Sequence, residues 1–221
     1  MRRLADGLIA ILLAPVCASC REPLPSPTSG IVCAACWRAT RTVVPPYFAP
    51  HVDACEAAGV YDGSLREIIH ALKYQRRTSL ARPLAALLLE RCGVALAGAE
   101  AIVPVPLHRS RYRQRGFNQA ELIARALPLR CANVLERVRA TPSQTDLPAD
   151  QRRENVRGAF AVKGGQSHFS SWFSEKSVTV PLFPVLLDDV ATTGATLSEC
   201  ARALKAAGAR EVRAVTVARA L

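Results

Sequence analysis

Near the carboxyl end of the chain, an apolar run, Val185-Leu186-Leu187, leads directly into two adjacent carboxylates, Asp188 and Asp189. After Val190 comes a string of small and hydroxyl-bearing residues, Ala191-Thr192-Thr193-Gly194-Ala195-Thr196. A buried strand that ends this way delivers its acids to a sheet edge. The loop behind it can fold round an anion, because backbone N–H groups, threonine hydroxyls and the positive end of a following helix converge there. Carboxylates repel a phosphate, so Asp188 and Asp189 must face something else: ribose hydroxyls or a magnesium ion. One ligand carrying both a phosphate and a sugar diol satisfies both halves. Plainer readings compete, since Thr196 and Glu199 are spaced as a helix capping box and two acids at a strand end can be a bare turn.

A second constellation is cationic. Between Pro104 and Gln119 four arginines fall at alternate positions, Arg109, Arg111, Arg113 and Arg115, and no acid occurs between Glu100 and Glu121. Read as a basic loop, this stretch suits diphosphate or a nucleic-acid backbone, with Tyr112 and Phe117 placed to stack on bases. A solvated loop that tunes solubility is the bland alternative. A further patch, Lys73-Tyr74-Gln75-Arg76-Arg77, follows a helical segment and is expected to face the same cleft.

The third is made of sulfur. Of eight cysteines, Cys17, Cys20, Cys33 and Cys36 form two Cys-x-x-Cys pairs separated by a proline-rich loop, whereas Cys55, Cys92, Cys131 and Cys200 stand alone among apolar residues. Two tight turns that each deliver a pair of thiolates read as a tetrahedral, structural zinc site with no position open for chemistry. Two disulfides or a redox pair are the competing readings, disfavoured in a reducing compartment. The isolated cysteines read as small buried hydrophobes.

These groups must be held by a framework, and composition allows one. The chain has 221 residues, half of them apolar, with a formal net charge of +11. That excludes a disordered or fibrous chain and favours polyanionic partners. No apolar run reaches the roughly 18 residues of a membrane span. At the N-terminus, Arg2, Arg3 and Leu8 to Ala14 resemble a short signal peptide, but the favoured reading is an amphipathic helix with Leu4, Leu8, Ile11 and Leu12 on one face. Pro45, Pro46 and Pro50 mark a linker. Residues 1–50 are therefore expected to form the helix, zinc-finger head and linker, and residues 51–221 a larger domain.

In that domain strands and helices alternate. The pattern predicts a strand over Ala57–Tyr61, a helix capped by Ser64, a nearly all-apolar helix from Leu80 to Leu96, and a strand over Ala101–Val105. After the basic loop it predicts a helix from Asn118 to Leu127, a strand near Ala132–Val138 and a polar stretch. A strand at Val185–Leu187, a helix from Leu197 to Ala207 and a strand from Glu211 to Val217 close the chain. Such alternation gives an α/β fold whose parallel sheet binds ligands at the carboxyl ends of its strands.

The run from Val185 to Thr196 resembles the 5-phosphoribosyl diphosphate (PRPP) motif of type I phosphoribosyltransferases. Taken with the four-cysteine head, several further segments extend the likeness: Leu72-Lys73-Tyr74, Pro104-Val105-Pro106-Leu107, Arg115-Gly116-Phe117-Asn118-Gln119, Gln144-Thr145, Arg152-x-x-Asn155 and Gly158-Ala159-Phe160. Together they resemble the ComF family of competence proteins nearly end to end. The resemblance implies a four-cysteine zinc finger on a phosphoribosyltransferase-type domain in the bacterial cytoplasm, linked to the use of incoming single-stranded DNA and to protein partners in its uptake. It also implies site roles. Asp188 and Asp189 would hold the ribose diol, with Mg2+ bridging diol and diphosphate. Ala191, Thr192, Thr193, Gly194, Ala195 and Thr196 would bind the 5-phosphate, and Lys73, Arg111, Arg113 and Arg115 would neutralise diphosphate. No segment reads as an acceptor-base pocket, so a non-catalytic single-stranded DNA-binding module is the alternative to a transferase. The stretch from Gly164 to Glu175 is longer and more aromatic than the family's usual turn.

Overall fold

A computed structural model of the chain describes residues 15–42, 47–139, 154–164 and 183–221. The amphipathic N-terminal helix, Gln144-Thr145 and nearly all of the 164–175 insertion expected from the sequence lie outside these residues. Five strands form one parallel sheet: β1 (Ala54–Ala57), β2 (Ala99–Pro104), β3 (Arg130–Cys131), β6 (Phe183–Ala191) and β7 (Arg213–Arg219), in the spatial order β1-β7-β6-β2-β3. A separate antiparallel pair joins β4 (Leu135–Arg137) to β5 (Phe160–Val162). The helices are α1 (Ala34–Arg38), α2 (Gly63–Tyr74), α3 (Ala81–Arg91), α4 (Gly93–Leu96), α5 (Arg109–Arg115), α6 (Gln119–Ala124) and α7 (Ala195–Ala206). The α/β class and the parallel sheet expected from the sequence are what the structure contains.

Strand β6 sits at the centre of the sheet. Its first five residues, Phe183 to Leu187, are all buried, as a strand covered on both faces requires. One buried cluster holds Leu65, Ile68, Ile69 and Leu72 of α2 with Leu84 and Leu88 of α3. On the other face Val103, Leu186, Leu197, Ala201 and Leu204 form the second cluster. The cysteine head does not stand apart, because Cys17, Leu24, Val32 and Cys36 belong to the first cluster. Arg91 ties the same region down, donating to the backbone oxygens of Thr40 and Ala58 and to Thr40 Oγ1 at 2.9 to 3.4 Å.

Several elements differ from the sequence reading. The basic loop is largely the helix α5: His108 Nδ1 accepts from Ser110 N, Gly116 at φ +82° closes the far end, and arginine is a good helix former between them. The long apolar helix breaks at Cys92 into α3 and α4. The N-cap of α2 is Asp62, not Ser64. The strand expected near Ala132–Val138 is only Leu135–Arg137, β4, and it pairs outside the main sheet, which the short β3 just before it joins instead. Strand β6 runs on through both acids to Ala191, where the sequence suggests an earlier turn.

Candidate functional site

Asp188 and Asp189 lie within β6, three and two residues before its end. Strand alternation gives neighbouring side chains different surroundings. Asp189 is buried and forms an ion pair with Lys73 Nζ from the last turn of α2. Its Oδ1 also accepts from Gln119 Nε2 at 3.2 Å. Asp188 is half-buried, and its Oδ1 accepts from the Asp189 backbone N–H at 2.8 Å. Burial and the charge of Asp189 push the Asp188 carboxyl well above the ordinary carboxylate range. Burial acts the same way on Asp189, but the Lys73 ammonium overrides it and holds that carboxyl low. Lys73 is raised in turn: burial opposes its charge and Asp189 more than restores it. The two acids therefore differ, one ionised against a lysine and one disposed to hold its proton.

The cationic residues divide as well. Arg115 Nη1 donates to Gln119 Oε1 at 3.0 Å, and its guanidinium lies 5.1 Å from the centre of the Tyr74 ring. The structure thus brings Lys73, Asp189, Gln119 and Arg115 into one connected group drawn from four elements or their junctions. Arg113 is exposed and Arg111 half-buried. Neither forms an ion pair among the described residues. Tyr74 and Tyr112 are 59% and 48% exposed, so aromatic and cationic surface is shared there.

The loop after β6 takes the shape its small residues permit. Gly194 adopts φ +72°, and a Cβ there would stand 2.9 Å from Ala49 Cβ, so glycine is required by both conformation and space. It leads into the twelve-residue α7. Thr192, Thr193 and Thr196 are half-buried. Thr193 Oγ1 is buried and finds no hydrogen-bond partner among the described residues. A cleft of about 720 Å³ opens along the flank of α7, lined by His51, Arg157, Gly158, Ser198 and Arg202 among others. It meets the loop at Ala195; Asp188 and Asp189 do not line it.

Three residues near the acids have no role in the sequence reading. Gln119 appears there only within a motif, although it bridges two charged groups. Arg137, on β4, sits over the Phe160 ring at 5.3 Å; its charge is disfavoured by burial and by Arg111 and favoured by Asp188. Arg219 ends β7 opposite Ala191, with its guanidinium 4.5 Å from the centre of the Tyr47 ring. Only the folded register places the last two, so no local signal could have found them.

The four expected metal ligands do come together. The Sγ atoms of Cys17, Cys20, Cys33 and Cys36 all lie within 4.8 Å of one another. Tetrahedral zinc with sulfur at about 2.3 Å sets its ligand atoms about 3.8 Å apart, and Cys20 and Cys33 are 3.9 Å apart. The set fits zinc in count, element and spacing. Backbone N–H groups of Ser19 and Cys33 point at Cys17 Sγ, and that of Cys36 at Cys33 Sγ. Against burial, N–H donors led by Cys33 lower the Cys17 thiol to about 6. Cys20 is pushed up to about 12: the Glu22 backbone N–H lowers it, and burial and the sulfurs of Cys36, Cys17 and Cys33 raise it more. Thiols this close cannot all ionise without a cation among them. Among the described residues, no helix is long and apolar enough to cross a membrane.

No family model matches the chain. Individual relatives do. It is 32% identical to the DNA utilization protein YhgH of Escherichia coli K12, across 93% of this chain and 97% of that protein. It is 34% identical to competence protein F of Haemophilus influenzae, across 77% and 75%. Competence protein ComFC of Streptococcus pneumoniae shares 30% identity over 53% of this chain and 47% of its own. With near full-length similarity at this level and the expected four-cysteine cluster and parallel sheet in place, the chain belongs to the ComF family of competence proteins.

Proposed function

We propose that the carboxyl edge of the sheet binds a phosphoribosyl ligand of the PRPP kind, together with Mg2+, and that the protein serves DNA uptake or utilisation in the cytoplasm. The observation that carries the reading is the sequence of groups at the end of β6: an acid pair, then a loop turned by Gly194 into the N-terminus of α7. The loop's backbone and threonine hydroxyls suit the 5-phosphate, and Asp188 suits the diol. Mg2+ would enter with the ligand, held beside Asp188, and would offset the negative charge of the diphosphate. Since Lys73 and Arg115 are engaged by Asp189 and Gln119, Arg111 and Arg113, which form no ion pair among the described residues, are left to take up the diphosphate. Transfer to an acceptor would rest on positioning and charge stabilisation, because the departing diphosphate needs no protein nucleophile.

The physiological half of the proposal comes from the names of the relatives, which speak of DNA utilisation and competence. The ligand can be tested in parts. Ribose 5-phosphate, diphosphate and PRPP are each titrated into the zinc-loaded protein with Mg2+. PRPP should bind most tightly and ribose 5-phosphate measurably, with both weakened by Thr193→Val. Diphosphate binding alone, indifferent to Thr193, would remove the loop from the account.

A second reading has its own support: α5 presents Arg109, Arg111 and Arg113 beside exposed Tyr112, a surface suited to single-stranded DNA. Affinity for a single strand should fall steeply with salt, and Arg111→Ala with Arg113→Ala should lower that slope by about two. A flat salt response would count against it.

A further inference from the structure

We infer that Gln119 is a positioning residue that couples the acid pair to the basic helix. It lies between two groups of opposite hydrogen-bonding character. Asp189 is an ionised carboxylate, which only accepts, and Arg115 is a guanidinium, which only donates. Whatever stands between them must donate at one end and accept at the other. A carboxamide does both on one rigid plane: Nε2 donates to Asp189 Oδ1 at 3.2 Å and Oε1 accepts from Arg115 Nη1 at 3.0 Å. The opposite orientation of the amide would set oxygen against oxygen and N–H against N–H, so its partners fix it.

The surrounding residues leave Gln119 little freedom. It is only 3% exposed and is the first residue of α6. Its neighbour Asn118 anchors that helix end twice, accepting from Ala120 N at 3.0 Å and donating to the Val105 backbone oxygen at 3.0 Å, just past β2. Hydrogen bonds within buried polar networks polarise one another, and residues sharing such a network lose energy non-additively when changed. A ligand that draws on the charge of Asp189 is therefore felt at Arg115, whose guanidinium also covers Tyr74. The inference rests on the proposed phosphoribosyl site for its ligand readout, but the coupling itself is a property of the protein.

Two substitutions divide the residue's two functions. Gln119→Met keeps the shape and removes both hydrogen bonds. Gln119→Glu keeps an acceptor for Arg115 and loses the donor to Asp189. PRPP affinity with Mg2+ is measured for Gln119→Met, Arg115→Ala and the double variant, and the mobility of the Arg115 guanidinium is followed by side-chain nitrogen relaxation in the ligand-free protein. Gln119→Met should weaken PRPP by about tenfold, with Arg115→Ala adding less than about twofold in its presence. The guanidinium should become mobile in Gln119→Met and stay ordered in Gln119→Glu. Full additivity of the two losses, or an Arg115 equally ordered in all three proteins, would overturn the inference. A wild type that binds no PRPP while Gln119→Met still releases Arg115 would sink the ligand reading and leave the coupling standing.

Discussion

The cysteine cluster and the carboxyl edge of β6 solve the same problem, crowding of like groups, by opposite means. In the head, four thiols lie within 4.8 Å of one another, a set compatible with a structural metal cation. At the sheet, two carboxylates adjoin, and the chain supplies its own relief: Lys73 neutralises Asp189, while Asp188 is disposed to keep its proton. The first site suits an imported cation. The second is compensated from within, so it stands ready without a ligand and can exchange internal contacts for external ones. The contrast teaches that apparent similarity in sequence, two pairs of close reactive groups, says little about where their charge is balanced.

Breaking the head should have the largest effect. Cys33→Ser leaves three sulfurs, and structural zinc contributes folding free energy directly, so the loss should reach several kcal/mol. Because Cys17 and Cys36 pack with α2, the damage should spread to that helix. Zinc content and thermal unfolding check this: one zinc per chain should fall to none, with a lower, broader transition. A variant that kept its zinc would contradict the four-thiolate site.

Lys73→Met tests internal compensation and should cost about 3–5 kcal/mol at neutral pH, because it strands the Asp189 carboxylate without its partner. The pH dependence follows from the sign of the shift. Asp189 is held low in the folded protein, so its contribution is present above the ordinary carboxylate value and is lost as pH falls through the folded one. The gap between wild type and variant in denaturant unfolding should therefore narrow in acid. A gap independent of pH would deny the pairing.

Gly194→Ala addresses the loop itself. A side chain at φ +72° that also meets Ala49 should cost about 1–3 kcal/mol and weaken phosphate binding more than diphosphate binding. Asp188→Asn should have the smallest effect and the opposite sign. Asp188 has its pKa raised on folding, so it costs stability as pH rises above the ordinary carboxylate value. Its amide replacement retains an oxygen for the Asp189 N–H and should raise stability slightly at neutral pH. Thermal melts at acid and neutral pH would show the gain only at neutral pH.

Legibility follows the same division. The zinc ligands can be read because each half of the site is a four-residue repeat, local enough to need no fold. The β6 run is legible for a related reason, an apolar strand followed by acids and glycine. What cannot be read are long-range pairings. Lys73 and Asp189 are 116 positions apart in the chain, and the sequence points each of them at a ligand, whereas the fold sets them against each other. Arg109 to Arg115 looks like a loop because alternating charge hides a helical face, and only the His108 and Gly116 caps mark its ends. Gln119 carries no charge and offers no composition signal, yet it joins the two charged halves.

Calorimetric titration of PRPP into the zinc-loaded wild type with and without Mg2+, with Asp188→Asn as the folded control, tests ligand binding at the carboxyl edge of β6. Binding should be saturable and one-to-one, should require Mg2+ and should be markedly weaker in the variant. No binding to a folded wild type, or equal affinity in the variant, would contradict the proposed site.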